Sequence, residues 1–286
     1  MFQDAIAKNR NYIVPVLTGI KYYGSDKILN GIATMIALND EGWFLTCKHV
    51  VNNIIAESIV NNNYLNFLKE LEDKKEHKEV IEMRYNLRND KEVLVKNLVP
   101  LGRNESIKYQ CINHDYLDLA VLHIENLDLK FPNYPIFSEV DCVQGKSLCK
   151  LGFPFPDYDY FELDDAKTSI VIKEKGIFST PTFPLDGIMT RGLIDGKGSL
   201  SMFEMSSPGL RGQSGGPIFD SNGILYGIQV ATRAFDLDFD FNGTIIRGVD
   251  RKQVNVQSFL HLGIGINSST IRNFLDTHKI RYKVSG

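Results

Sequence analysis

With 286 residues, 43% hydrophobic and 23% charged, the chain has a globular composition and is long enough for two modest domains sharing a cleft. A net charge of −3, with acids and bases interspersed, excludes the clustered basic surface that nucleic acid or an anionic membrane demands. Cys47, Cys111, Cys142 and Cys149 form no CxxC pair and are too sparse for a disulfide scaffold; the N-terminus is polar and no apolar run approaches ~18 residues, so the expectation is a cytoplasmic protein with no secretory leader, membrane span or structural zinc.

In chain order, residues 31–38 (GIATMIAL) and 43–46 (WFLT) flank the turn residues Asn39, Asp40, Glu41 and Gly42 and predict a β-hairpin. His49 follows in WFLTCKHVV, a polar ring at the end of an apolar strand and so at the rim of a core. Within residues 53–79, Val60, Tyr64, Phe67, Leu68 and Leu71 recur on one helical face, with the charged run KELEDKKEHKE covering the far side and the end. The plain reading is a surface helix packed by its stripe. The sharper one is an inserted element on which a regulatory protein docks.

Short strand-like runs follow at 80–85, 92–98, 107–112 and 119–124. Asp118 precedes the last of them in YLDLAVL, where a carboxylate is expensive to bury unless paired. Pro154 and Pro156 mark a boundary between halves. Further strands are expected at 148–151, 169–172, 176–179, 201–205, 217–219, 224–230 and 263–266. NSSTIRNFLDTHKI closes the chain as a serine-capped helix bearing Ile271, Phe274 and Leu275, with Lys279 near its end. Many short strands separated by turns predict an all-β sandwich or barrel.

RGQSGGP, residues 211–217, sets Ser214 among Gly212, Gly215 and Gly216. A serine hydroxyl is a poor nucleophile unless a base lies within hydrogen-bond reach and a third group orients that base. Of the six histidines, His77 lies in the charged run, His123 inside the apolar LAVLHI, His114 in a polar loop, and His261 and His278 near the C-terminus; His49 has the context of a base. Asp118 has that of its orienting acid, which ought to be buried.

The stretches GWFLTCKHVV, DLAVL and GQSGGP resemble the three signature stretches of the trypsin-like, chymotrypsin-fold serine peptidases. LGFPF, GIFS and LGIGINSSTI further resemble the bacterial HtrA-type branch, so the likeness runs from about residue 25 to 280. The resemblance implies two antiparallel β-barrels, in residues 1–150 and 151–286, with a helical insertion at about 53–79 and a C-terminal helix. It implies peptide-bond hydrolysis by a triad of His49, Asp118 and Ser214, with the backbone N–H groups of Gly212 and Ser214 as oxyanion hole. Pro208, Gly209 and Leu210, with Val230, Ala231 and Thr232, would line the primary specificity pocket. None is acidic, so a small or medium apolar residue before the cut is expected rather than Lys or Arg. The implied partner is a protein or peptide substrate, with no metal or cofactor.

Gln213 stands where animal trypsin-like enzymes carry the aspartate that receives a new N-terminal amine, so activation by trimming is not expected. Cys47 lacks the second cysteine of their histidine-loop disulfide, and the PDZ module usual in the HtrA branch is not expected after residue 286. GQSGG also satisfies the G-x-S-x-G elbow of α/β-hydrolases, with His261 as formal base, but the following residues lack a helical period. A silent trypsin-like binding module is the non-enzyme alternative, and latency until a partner binds the inserted helix a further one.

Overall fold

The computed structural model describes residues 1–73, 77–101, 108–125, 127, 129–247 and 250–286. After α1 (Gln3–Arg10), six strands build the first sheet: β1 (Ile13–Tyr22), β2 (Ile28–Ala37), β3 (Trp43–Thr46), β4 (Glu92–Leu98), β5 (Tyr109–Asn113) and β6 (Ala120–Ile124). Between β3 and β4 lie α2 (Lys48–Asp73) and α3 (Lys78–Arg84). The sheet order is β4-β1-β2-β3-β6-β5, and every pairing is antiparallel.

The expected β2–β3 hairpin is present, pairing Ile36 with Leu45 and Ala37 with Phe44. Its turn requires a glycine: Gly42 has φ +86°, and a Cβ there would stand 2.5 Å from the Ile124 carbonyl oxygen. Gly42→Ala is therefore expected to cost about 1–3 kcal/mol, through backbone strain and overpacking together. A urea midpoint unchanged in this variant would show that the turn relaxes freely.

The second sheet comprises β7 (Ile136–Phe137), β8 (Ser147–Gly152), β11 (Phe183–Ile194), β12 (Leu200–Met205), β13 (Pro217–Phe219), β14 (Leu225–Arg247), β15 (Asp250–Asn267) and β16 (Lys283–Val284). Its order is β13-β8-β11-β12-β15-β14-β7-β16, and the additional pairing of β13 with β14 closes six antiparallel strands into a barrel. Closure removes the unpaired edges that an open sheet would leave. β14 and β15 run on past the barrel as a two-stranded ribbon, paired across a register shift between Asp236 and Asp240 as far as Arg247 opposite Asp250. The strands β9 (Asp157–Leu163) and β10 (Ile170–Ser179) form a separate antiparallel pair. It folds back on the first sheet, where the Tyr158 hydroxyl donates to the carbonyls of Thr18 and Gly31.

One apolar core joins the two sheets: Met35, Ile36, Phe44 and Leu45 from the first cluster with Leu151, Phe219, Ile228 and Ile266 from the second. α4 (Ser268–Thr277) seals it with Ile271, Phe274 and Leu275. No helix among the described residues is long and apolar enough to cross a membrane.

Several expectations need correction. Residues 80–84 belong to α3, with Tyr85 its C-cap, because Ile81 buries on a helical face; so short an apolar run fits either period. The helix expected from residue 53 begins at Lys48, where the Cys47 carbonyl accepts from the N–H groups of Val50 and Val51. Residues 74–76 of that predicted segment, and Ile107 of another, lie outside the described residues. Residues 170–172 and 176–179 of the two expected strands fall in one strand, β10, which Ser169 precedes. The serines of α4 do not cap it: Asn267 is the N-cap, while the Ser268 hydroxyl donates to the Ser138 carbonyl and Ser269 bonds Asp141. The α2 stripe packs within the chain, with Phe67 buried against Tyr23, Tyr64 and Tyr85.

Candidate active site

The site begins with neighbouring strand ends. Phe44, Leu45 and Thr46 are fully buried, which fixes β3, and Thr46 lies opposite Ala120 of β6. The chain leaving β3 and the chain entering β6 therefore emerge side by side. His49 is on the first, in the opening turn of α2 rather than at a strand end; Asp118 is on the second, in the β5–β6 turn. Lys48 ties the two together, its ammonium donating to the His114 carbonyl at 2.9 Å.

Asp118 Oδ2 stands 2.7 Å from His49 Nδ1, and Asp118 Oδ1 accepts the His49 backbone N–H at 2.9 Å. The carboxylate thus sits at the N-terminus of α2, where unpaired N–H groups favour negative charge. Partial burial pushes its pKa up. Hydrogen bonds from the His49 ring and from the backbone N–H groups of His49 and Lys48 outweigh that and hold it below the usual carboxylate range. The expectation of a buried acid is corrected: the Asp118 side chain is 36% exposed and that of His49 48%. The burial lies in the flanking Leu117 and Leu119.

Ser214 lies in the loop from β12 to β13. That loop is fastened to the first sheet: Thr34 N–H donates to the Ser214 carbonyl at 2.9 Å and Thr34 Oγ1 to the Gly212 carbonyl at 2.7 Å. Gly215 rests so close to β3 that a Cβ there would meet Thr46 Oγ1 at 2.4 Å, three residues before His49. Gly212 has φ +98°, and a Cβ there would lie 2.4 Å from the Phe153 carbonyl oxygen, so only glycine fits.

The N–H groups of Gln213, Gly215 and Gly216 are paired with the carbonyls of Leu210, Gln229 and Gln213. Those of Gly212 and Ser214 donate to nothing among the described residues, and no hydrogen bond joins the Ser214 hydroxyl to His49. The sequence reading passed over Gln213 as a mere replacement. Fully buried, it accepts from Leu210 N–H and donates to the Phe183 carbonyl, bracing the loop from inside.

The segments 208–210 and 230–232 meet directly, Thr232 Oγ1 donating to the Gly209 carbonyl at 2.7 Å. Val230 is buried, whereas Ala231 and Thr232 are exposed. Behind them stands Lys150, which the sequence reading missed because it lies on β8, far from both segments in the chain.

Cys47, His49 and Asp118 hold potential metal-ligand atoms within 4.8 Å of one another. Cys47 is ill suited to that role: its thiol donates to the Gln229 carbonyl, and burial raises its pKa well above the usual thiol range. Among the remaining histidines, His123 lies against Trp43 and His261 stands on the ribbon opposite Ala234. After Ser214 the chain enters β13, a strand, so the strand-to-helix elbow of an α/β-hydrolase is not formed.

The sequence profile described as a trypsin-like peptidase domain matches residues 33–228. No curated protein matches the chain. Among solved structures, the active form of the Rv3671c protease from M. tuberculosis aligns at 12% identity, covering 98% of this chain and 86% of that one, with a TM-score of 0.47. The inactive form of the same protease aligns at 12% identity over 96% of this chain and 91% of that one, with a TM-score of 0.44.

Proposed function

This chain belongs to the trypsin-like peptidase domain family, and on that premise we propose that it is a serine endopeptidase acting through Ser214, His49 and Asp118. The observation that carries the reading is the Asp118–His49 pair beside a loop whose Gly212 and Ser214 N–H groups are unengaged. In the family's mechanism His49 Nε2 takes the Ser214 proton as Oγ attacks the peptide carbonyl, then returns it to the leaving amine. Asp118 keeps the Nδ1 proton in place and stabilises the imidazolium. The two loop N–H groups receive the oxyanion, the acyl group rests on Ser214, and water releases it. Protein or peptide is the substrate, and the chemistry requires no cofactor.

A latent resting form belongs to the same reading, because the Ser214 hydroxyl is not hydrogen-bonded to His49 and the segments 208–210 and 230–232 are drawn together. A regulatory protein would meet α2 on its outer face, where Ile55 and Ile59 are exposed.

Labelling with a fluorophosphonate and mapping of the modified residue tests the proposal. Ser214 is expected to carry the label, and His49→Ala to abolish it. A folded protein labelled elsewhere would displace Ser214, and one never labelled, even with substrate peptides present, would favour a silent binding module.

A further inference from the structure

Lys150 is completely buried, yet no carboxylate forms an ion pair with it among the described residues. Its ammonium donates to the carbonyl oxygens of Ser207, at 2.8 Å, and Pro208, at 2.6 Å, on the segment leading to Ser214. From the other side it faces β15 and β14. A Cβ at Gly263 would lie 2.6 Å from Lys150 Nζ and 2.9 Å from Gln229 Oε1. The charge therefore stands directly behind the two segments 208–210 and 230–232.

We propose that Lys150 is the floor of the primary specificity pocket and selects substrates with Glu or Asp before the scissile bond. This rests on the serine-peptidase reading of the same site.

Three observations support an acidic occupant. An ammonium carries three donors, and two are used. The hydroxyl of Ser207, the residue whose carbonyl Lys150 holds, is buried without a partner and can supply a fourth donor overall. Glu204, also buried, is engaged by Arg191 and Arg233 and not by the lysine. A buried cation held only by carbonyl dipoles is unfavourable, and burial pushes the Lys150 pKa down to about 7. An incoming carboxylate supplies the missing counter-charge and accepts from the free donors in charge-assisted bonds. The mouth is held by the exposed Thr232–Gly209 hydrogen bond, which an entering side chain replaces. Gln229 Oε1, also buried without a partner, is the one feature that would suit a neutral amide instead. The proposed acid preference departs from the small apolar preference expected from the sequence, because the deciding charge comes from β8.

The test compares kcat/KM for fluorogenic peptides differing only in Glu, Asp, Gln, Ala, Leu or Arg before the cut. Glu or Asp is expected to exceed Gln and Ala by about tenfold or more. Lys150→Met, checked for folding by circular dichroism, should collapse that ratio. Equal or better cleavage after Gln, Ala, Leu or Arg overturns the proposal, as does an acid preference that survives in Lys150→Met. Binding of uncleaved Glu and Gln peptides to Ser214→Ala, measured by calorimetry, separates the two readings. Tighter Glu binding together with absent fluorophosphonate labelling defeats only the catalytic reading. Equal binding of the two peptides defeats only this one.

Discussion

Ser214→Ala is expected to lower kcat by about 10⁶-fold with little change in KM, since a nucleophile and its base act as one unit and losing either forfeits nearly all of their joint effect. The variant should fold normally. Ser214 is held by its backbone, through its carbonyl and the neighbouring Gly215 N–H, and its hydroxyl contributes no bond to the loop. Residual turnover, roughly 10³–10⁴ above the uncatalysed rate, would come from the Gly212 and Ser214 N–H donors and from substrate binding. Steady-state assay of purified wild type and variant against the best peptide substrate decides the matter. A loss below about 10²-fold would remove Ser214 from the chemistry.

Asp118→Asn is expected to lower kcat by about 10⁴-fold, the size typical of the family's triad. Asparagine preserves shape and can still accept the His49 backbone N–H through its oxygen. Its amide then faces His49 Nδ1 as a donor, which forces the ring proton onto Nε2, where the base must be free. The same variant carries a pH signature. The folded-state pKa of Asp118 is depressed, so its contribution to stability is present above the ordinary carboxylate value of about 3.9 and is lost as pH falls through the folded value. The stability gap between wild type and Asp118→Asn should therefore be open at pH 7 and close in the acid range; urea melts at both extremes measure it. A gap independent of pH would mean that the pair seen at 2.7 Å contributes nothing ionic.

The residues of the candidate site were more legible in the sequence than their geometry. The β2–β3 hairpin could be read because apolar runs and turn residues alternate locally. His49, Asp118 and Ser214 stood out because a polar group against an apolar strand, or a serine among glycines, needs a reason. What escaped was decided by packing. His49 lies on a helix although Val50 and Val51 are β-branched, because the Cys47 carbonyl and the sheet beneath set the helix start. The acid is partly exposed because its stabilisation comes from N–H groups rather than from a dry pocket. Lys150 carries no local signal at all: on β8 it looks like an ordinary strand residue, and only barrel closure brings it behind Pro208. The alternation in FDLDFDF, residues 235–241, is a strand signal that the reading of 224–230 and 263–266 stopped short of.

That stretch lies in the ribbon of β14 and β15, and Ala231 and Thr232 stand at its root. From Thr232 opposite Gly263 to Arg247 opposite Asp250 the arm reaches on the order of 40 Å, counted along β15 at about 3.3 Å per residue, because β14 carries a register shift between Asp236 and Asp240. Because side chains along it repeat every second position, adding or removing two residues in each strand keeps both faces intact, whereas a one-residue change exchanges them. The arm is thus a caliper whose span can be reset in increments of about 7 Å while the paired segments 208–210 and 230–232 at its base stay as they are.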